Sequence, residues 1–341
     1  MGGVLGGPDS AGMVFPMRVL FVIPGEGRGS SMIFARRQAE SLAREGVEVE
    51  AFYLRSRTSL WELAREGARF RRCVRSFDPE VIHAHFGTVT ALFAACAAPS
   101  RPLVITFRGS DLNVSPSLRS VAGHMLSQIA ALRAGRIVCV SRQLREWLWW
   151  RRSSVSVLPS GVDPEVFRPE PRSDARRRLG WDDDERVVLF NAGHDPATKR
   201  LDLANEALRL TQGVLKSVCM EVLDGTTPPA RVPELLNAAD CLLLTSDREG
   251  SPTVIQEALA CNLPVISVDV GDTVERLRGV SRSAIVPREA AAIARELARV
   301  LRVPTRSNGR SKVAEFSAKR IAGELCRMYC ELAGAWNTSP C

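Results

Sequence analysis

MRVLFVIPGEGRGSSMIFARRQAESLAREGVEVEAFYL, residues 17 to 54, holds three patterns in succession. Met17 to Pro24 is an apolar run of strand length. A Gly/Ser loop follows from Gly25 to Ser31. The apolar residues Ile33, Ala35, Ala39 and Leu42 then recur at helical spacing until Gly46, and VEVEAFYL resumes as a strand. Strand, helix, strand is a βαβ unit, and its crossover demands a parallel sheet.

The pattern continues outward. VIHAHFG after Asp78-Pro79, PLVITFRGSD, GRIVCVS and SVSVLPSGVD each read as a strand, with a helix expected from Ser141. A charged, Pro-containing stretch runs from Asp163 to Asp184, and a second set follows it. ERVVLFNAG is a strand, LDLANEALRLTQ a helix, and VCMEVLDG, DCLLLTS and LPVISVDV are further strands. Ser311 to Leu332 reads as one long helix. The chain is therefore expected to fold as two successive doubly wound α/β halves, with a boundary near Pro164 to Pro171.

Composition narrows the class. The 341 residues are 45% hydrophobic and 25% charged, which excludes a disordered or fibrous chain. The longest mostly apolar run, Val81 to Ser100, contains His83, His85, Gly87 and Pro99, so no transmembrane helix is expected. Residues 1–16 lack a basic n-region and a clean apolar stretch; they read as a disordered leader rather than a signal peptide. Nine cysteines without a CxxC pair suggest free thiols in a reducing cytoplasm. The net charge is +8, and it concentrates between Arg55 and Arg75, interleaved with Trp61, Leu63, Phe70, Val74 and Phe77. Such a segment suits an anionic lipid surface or a nucleic acid, or is simply a solvated helix face.

Three motifs sit where strands of an open α/β sheet end. Gly25, Gly27 and Gly29 suit a phosphate at a helix N-terminus or a plain tight turn. Their spacing is GxGxG, and the second strand closes on Phe52-Tyr53-Leu54-Arg55 with no acidic residue, which excludes a dinucleotide-dependent oxidoreductase. Lys199 and Arg200, in NAGHDPATKR after a strand, suit a diphosphate. Glu249 and Glu257, in EGSPTVIQE, bracket Pro252, which suits the first turn of a helix and leaves the N–H groups of Gly250 to Thr253 as an anion site. His83 and His85 alternate on a strand with no third ligand in local reach, so no metal site is expected.

With these residues in order, the sequence resembles the retaining glycosyltransferases of family 4, from Met17 to about Leu332. EGSPTVIQEALACNLPVISVDVG looks like the family's donor segment, LPSGVDPEVFRP like its interdomain turn, and VIHAHFG, ITFRGSD and CVSRQLRE like its N-terminal half. His194 stands where the family has Arg, Arg108 where it commonly has His, and Gly29-Ser30 where it has a Gly pair.

The resemblance implies a GT-B fold, two Rossmann-like domains facing a cleft. Residues 17–165 would form the acceptor side and residues 166–310 the donor side, with 311–335 a helix returning to the first domain. It implies transfer from a UDP- or GDP-sugar to a sugar, glycan or lipid-linked acceptor, with no cofactor, no metal and no nucleic acid. Lys199, Glu249 and Asp111 would serve catalysis. Gly29, Ser30, Gly193, His194, Lys199, Arg200, Glu249, Gly250, Ser251, Pro252, Thr253 and Glu257 would hold the donor. Arg108, Gly109, Ser110 and Asp111 would face the acceptor. Location is expected in the cytoplasm, with a peripheral position on the cytoplasmic face of the inner membrane as its variant. The competing readings are a catalytically inactive nucleotide-sugar-binding subunit and a nucleotide-sugar epimerase on the same fold.

Overall fold

The structure is a computed structural model that describes residues 16–27, 32–114 and 117–334. Two parallel sheets organise these residues. The first contains β1 (Arg18–Pro24), β2 (Glu48–Leu54), β3 (Val81–His85), β4 (Leu103–Phe107), β5 (Arg136–Cys139) and β6 (Val155–Val157), in the order β2-β1-β3-β4-β5-β6. The second contains β7 (Arg186–Gly193), β8 (Val218–Asp224), β9 (Cys241–Leu244), β10 (Val265–Ser267) and β11 (Ala284–Ile285), in the order β11-β10-β9-β7-β8. In each sheet the chain moves to one side first and then reverses to the other. The reversal falls between β1 and β3, and again between β7 and β9. Ligands of open α/β sheets bind outside the carboxyl ends of the strands at such reversals.

The helices are α1 (Ile33–Arg44), α2 (Leu60–Phe77), α3 (Thr88–Ala97), α4 (Leu118–Arg133), α5 (Arg142–Glu146), α6 (Arg172–Leu179), α7 (Pro196–Lys199), α8 (Leu201–Gln212), α9 (Val232–Ala238), α10 (Thr253–Ala260), α11 (Thr273–Leu277), α12 (Ala290–Arg302) and α13 (Ala318–Ala333). They cover both faces of each sheet, so the central strands β3, β4 and β9 are buried throughout rather than alternating. In β1, Leu20 and Val22 pack with residues of α2, α3 and α4, while Val19, Phe21 and Ile23 pack with α1 and α13. The period of two sends neighbours to opposite cores. Each fully buried side chain of this kind stabilises the fold by about 1.5–3 kcal/mol relative to exposure.

The expected single helix over Ser311 to Leu332 is corrected. Gly309–Phe316 is a 3-10 segment, Ser317 is extended, and α13 begins at Ala318. The break is a crossing between cores. Val313 and Phe316 are buried in a core of the second half, whereas Ile321, Leu325 and Tyr329 are buried against β1. The other crossing lies beside it. Val162 N–H donates to the Phe316 carbonyl at 3.1 Å and the Val162 carbonyl accepts from Ala318 N–H at 2.8 Å.

Candidate functional site

Strand β7 ends at Gly193 in the left-handed region (φ 52°), and the short α7 follows. Asp195 caps α7, accepting from Thr198 N–H at 3.1 Å. Lys199 is its last residue. Thr245, just after β9, donates its hydroxyl to the Lys199 carbonyl at 2.8 Å and so ties the two loops together. Across this junction Lys199 Nζ meets Glu249 Oε1 at 2.5 Å, and Ser246 Oγ donates to the same oxygen at 2.7 Å. The pair stands at the strand reversal between β7 and β9. Arg200 is not brought in; its guanidinium pairs with Asp202 at 2.9 Å and Asp247 at 3.4 Å. His194 lies against Gly225, so close that a Cβ there would overlap its ring.

Gly250 follows Glu249 where the halves touch. A Cβ at Gly250 would sit 1.9 Å from the Arg108 carbonyl oxygen, so the position requires glycine. Gly109 faces Gly250 from the other side. Ser251 turns inward, donating to Asp272 at 2.7 Å. Pro252 occupies the cap position, one residue before the first turn in which the sequence suggested it, and Thr253 opens α10. Glu257, buried on α10, meets Arg37 Nη1 of α1 at 2.6 Å. Burial raises the Glu257 pKa, and the Arg37 charge pulls it back.

Asp111 is fully buried, and backbone N–H groups saturate its carboxylate. It accepts from Gly87 at 2.9 Å, from Gly109 at 2.8 Å and from Arg108 at 3.0 Å. Burial raises its pKa, and those N–H bonds oppose the rise. The carboxylate thus clamps the loops after β3 and β4 and does not face the cleft; Ser110 beside it is exposed. The Arg108 guanidinium reaches His85 at 2.8 Å, Ser160 at 3.0 Å and Gln38 at 3.2 Å, and stacks 4.1 Å from the Phe34 ring centroid. Burial pushes its pKa down to about 9, against the pull of Asp111 and Tyr329. His83 is spent within the core, bonded to the Tyr329 hydroxyl at 2.6 Å and Thr106 at 2.7 Å. Gly29 and Ser30 lie outside the described residues.

Two residues at this junction carried no sequence signal. Arg37 reaches Glu257 from 220 positions away, and Asn113 Nδ2 donates to the Glu249 carbonyl at 3.1 Å. Neither forms a local pattern with its partner.

The basic segment 60–77 is helix α2, and its aromatics divide. Phe70 is fully buried between Phe52 and Phe93, and Phe77 packs at the edge of the same core. Only Trp61 of the three is strongly exposed, together with Leu60. On the same side of the sheet α4 exposes Leu118, Val121, Met125, Ile129 and Leu132, spaced as one helical stripe. Among the described residues no helix is long and apolar enough to cross a membrane.

Comparison with known proteins covers both halves. Residues 30–166 match the family model described as Glycosyltransferase Family 4, and residues 220–320 match Glycosyl transferases group 1. The chain is 31% identical over 245 residues to a Bacillus subtilis (strain 168) protein provisionally named the teichuronic acid biosynthesis glycosyltransferase TuaC, covering 66% of this chain and 62% of that protein. It is 27% identical over 254 residues to the D-inositol 3-phosphate glycosyltransferase of Thermobispora bispora, covering 63% of this chain and 59% of that one. These matches thus span about three fifths of each relative's length. Among solved structures, sucrose-phosphate synthase from Thermosynechococcus elongatus superposes with a TM-score of 0.73 at 18% identity, over 94% of this chain and 100% of that one. Anabaena HepE, solved in complex with UDP and glucose, gives 0.71 at 18% identity over 92% and 100%. The two-sheet architecture is the GT-B fold of those structures.

Proposed function

Since the chain belongs to glycosyltransferase family 4, we propose that it moves a sugar from a nucleoside diphosphate sugar to an acceptor hydroxyl, with retention at the anomeric carbon. One observation carries the reading: Lys199 and Glu249, 50 positions apart, meet at 2.5 Å at the strand reversal of the second sheet. The crystallised relation of HepE with UDP and glucose supports a uridine nucleotide as donor.

In this reading the donor diphosphate displaces Glu249 from Lys199, and Glu249 turns to the transferred sugar. Glu257 exchanges Arg37 for the ribose hydroxyls. The C1–oxygen bond breaks with its electron pair passing to the diphosphate. Lys199 and the N-terminus of α10, whose first turn holds no acidic residue, stabilise that growing charge. The acceptor hydroxyl attacks from the face the diphosphate leaves, and its proton passes to a phosphate oxygen. No protein nucleophile and no divalent ion take part. Asp111 is a positioning residue, holding the loops that present Arg108 and Ser110. The contact of Gly250 with the Arg108 backbone holds the two halves together beside Glu249.

Calorimetric titration with UDP and GDP tests the donor site. Wild type should bind one of them, and Glu257→Ala should weaken that binding by about 1.5–3 kcal/mol through the lost bonds to a charged group. An unchanged dissociation constant removes Glu257 from the site; no binding of either nucleotide removes the donor reading. Release of free sugar from the donor by the pure protein separates an enzyme from an inactive binding subunit.

The α4 stripe favours a second element, peripheral attachment to the anionic cytoplasmic leaflet. Arg65, Arg71, Arg72 and Arg75 line the exposed side of α2, and each basic residue near such a surface contributes about 1 kcal/mol. Co-sedimentation with anionic vesicles at low salt should retain the protein, and Leu118→Asp with Ile129→Asp should release it. Retention that ignores lipid charge overturns attachment through the arginines, and no retention at low salt overturns membrane attachment altogether.

A further inference from the structure

A cavity of about 750 Å³ opens at the carboxyl ends of β2 and β3, within the range of small-molecule sites. Arg55 and Arg57 enter it from the segment after β2, Arg119 from the first turn of α4, and Arg248 from the second half. Among the described residues none of these four guanidinium groups forms an ion pair, and Glu62 is the only carboxylate on the wall. Partial burial and the neighbouring charge of Arg119 both lower the pKa of Arg57. Four like charges gathered around one carboxylate leave a net positive cavity, which raises the energy of the empty site and fits an incoming anion.

The backbone points the same way. Helices α3 and α4 both start at this cavity, and neither carries an acidic residue in its first turn. On the wall, Phe86 (φ 122°) and Thr88 (φ 54°) are held in conformations unfavourable to residues with a Cβ. The Asp111 clamp on Gly87 and a 2.8 Å bond from Thr88 N–H to Ser127 fix that turn. At its far end the cavity reaches Asn113 and Arg248, which flank Glu249.

We propose that this cavity is the acceptor subsite and that it selects an acceptor carrying a phosphate or diphosphate group, gripped by Arg55, Arg57 and Arg119 while its hydroxyl points toward Glu249. The proposal rests on the donor reading above. Guanidinium forks match phosphate oxygens in pairs, whereas a neutral sugar would leave the excess of four cations over one carboxylate in place.

Inorganic phosphate is the probe, titrated into full-length protein saturated with UDP so that the donor's diphosphate site is filled. Wild type should bind phosphate, Arg57→Gln with Arg119→Gln should weaken it by about tenfold or more, and Arg57→Lys with Arg119→Lys should keep more of the affinity than the Gln pair. Equal affinity in wild type and the Gln variant overturns the proposal, as does absence of phosphate binding to the UDP-saturated protein. Nucleotide affinity is measured on each protein first, GDP replacing UDP for saturation if it is the one that binds; wild type that binds neither strikes the donor reading instead. A second arm names the source. Phosphate that displaces the protein from phosphatidate-containing vesicles assigns the site to a lipid-borne phosphate. Phosphate binding without phosphatidate binding assigns it to a soluble phosphorylated acceptor.

Discussion

Lys199→Ala should cut turnover by roughly 10²–10³ while weakening donor binding much less. The diphosphate is already charged in the bound donor, but its charge grows as the glycosidic bond breaks. A cation beside it therefore stabilises the transition state more than the ground state. Lys199 is placed for this and little else: its ammonium is partly enclosed and, among the described residues, pairs with Glu249 at 2.5 Å. Steady-state rates with saturating donor, set beside calorimetric affinities, separate the two effects. Turnover within about threefold of wild type would move the role to Arg200 or His194. Arg200 starts from a poor position, because Asp202 and Asp247 already hold it.

Asp240→Ala should destabilise the second half by about 3–5 kcal/mol. Asp240 is buried and accepts from Arg176 at 2.8 Å, from Arg172 at 2.8 Å and from Val187 N–H at 2.8 Å. Arg176 is fully buried, and burial lowers its pKa while Asp240 raises it. Removing the carboxylate strands that guanidinium in the interior. Arg176→Met combined with Asp240→Leu should cost less than Asp240→Ala, because no buried charge is then left unpaired. Urea denaturation of the three proteins decides the point. A midpoint for Asp240→Ala close to wild type would show that water reaches Arg176.

Much of this architecture is legible in the chain. Residues 17 to 54 spell strand, helix and strand because their apolar spacing switches between the two periods, and the two sheets follow from repeats of that unit. Lys199 and Glu249 were both readable as cations and carboxylates after strands, and the fold brings them together. Asp111 was readable as a site residue but not as a clamp, since nothing local says that three N–H groups will close around it. The break at Ser317 was hidden because apolar residues recur every three to five positions across it, at Val313, Phe316, Ile321 and Leu325, while belonging to two different cores. In α2 the signal was present: Leu63, Phe70, Val74 and Phe77 form one stripe, which marks an inward face. Arg37, Asn113 and the four arginines of the cavity come from segments with no common spacing, so only the folded chain assembles them.

The paired crossings at Val162 and Ser317 govern how the cleft can open. Two loose tethers would let one half wander and twist against the other. Here the two strands of the connection are bonded side by side, and Gly161 packs against Ala318 closely enough that a Cβ would lie 3.2 Å from its Cα. Such bonding favours rotation about the line where they meet over independent twisting, as in a door on a single pin. Closure about that line would bring Gly250 back to the Arg108 carbonyl along one arc, so that the two halves of the proposed site meet without a search through orientations.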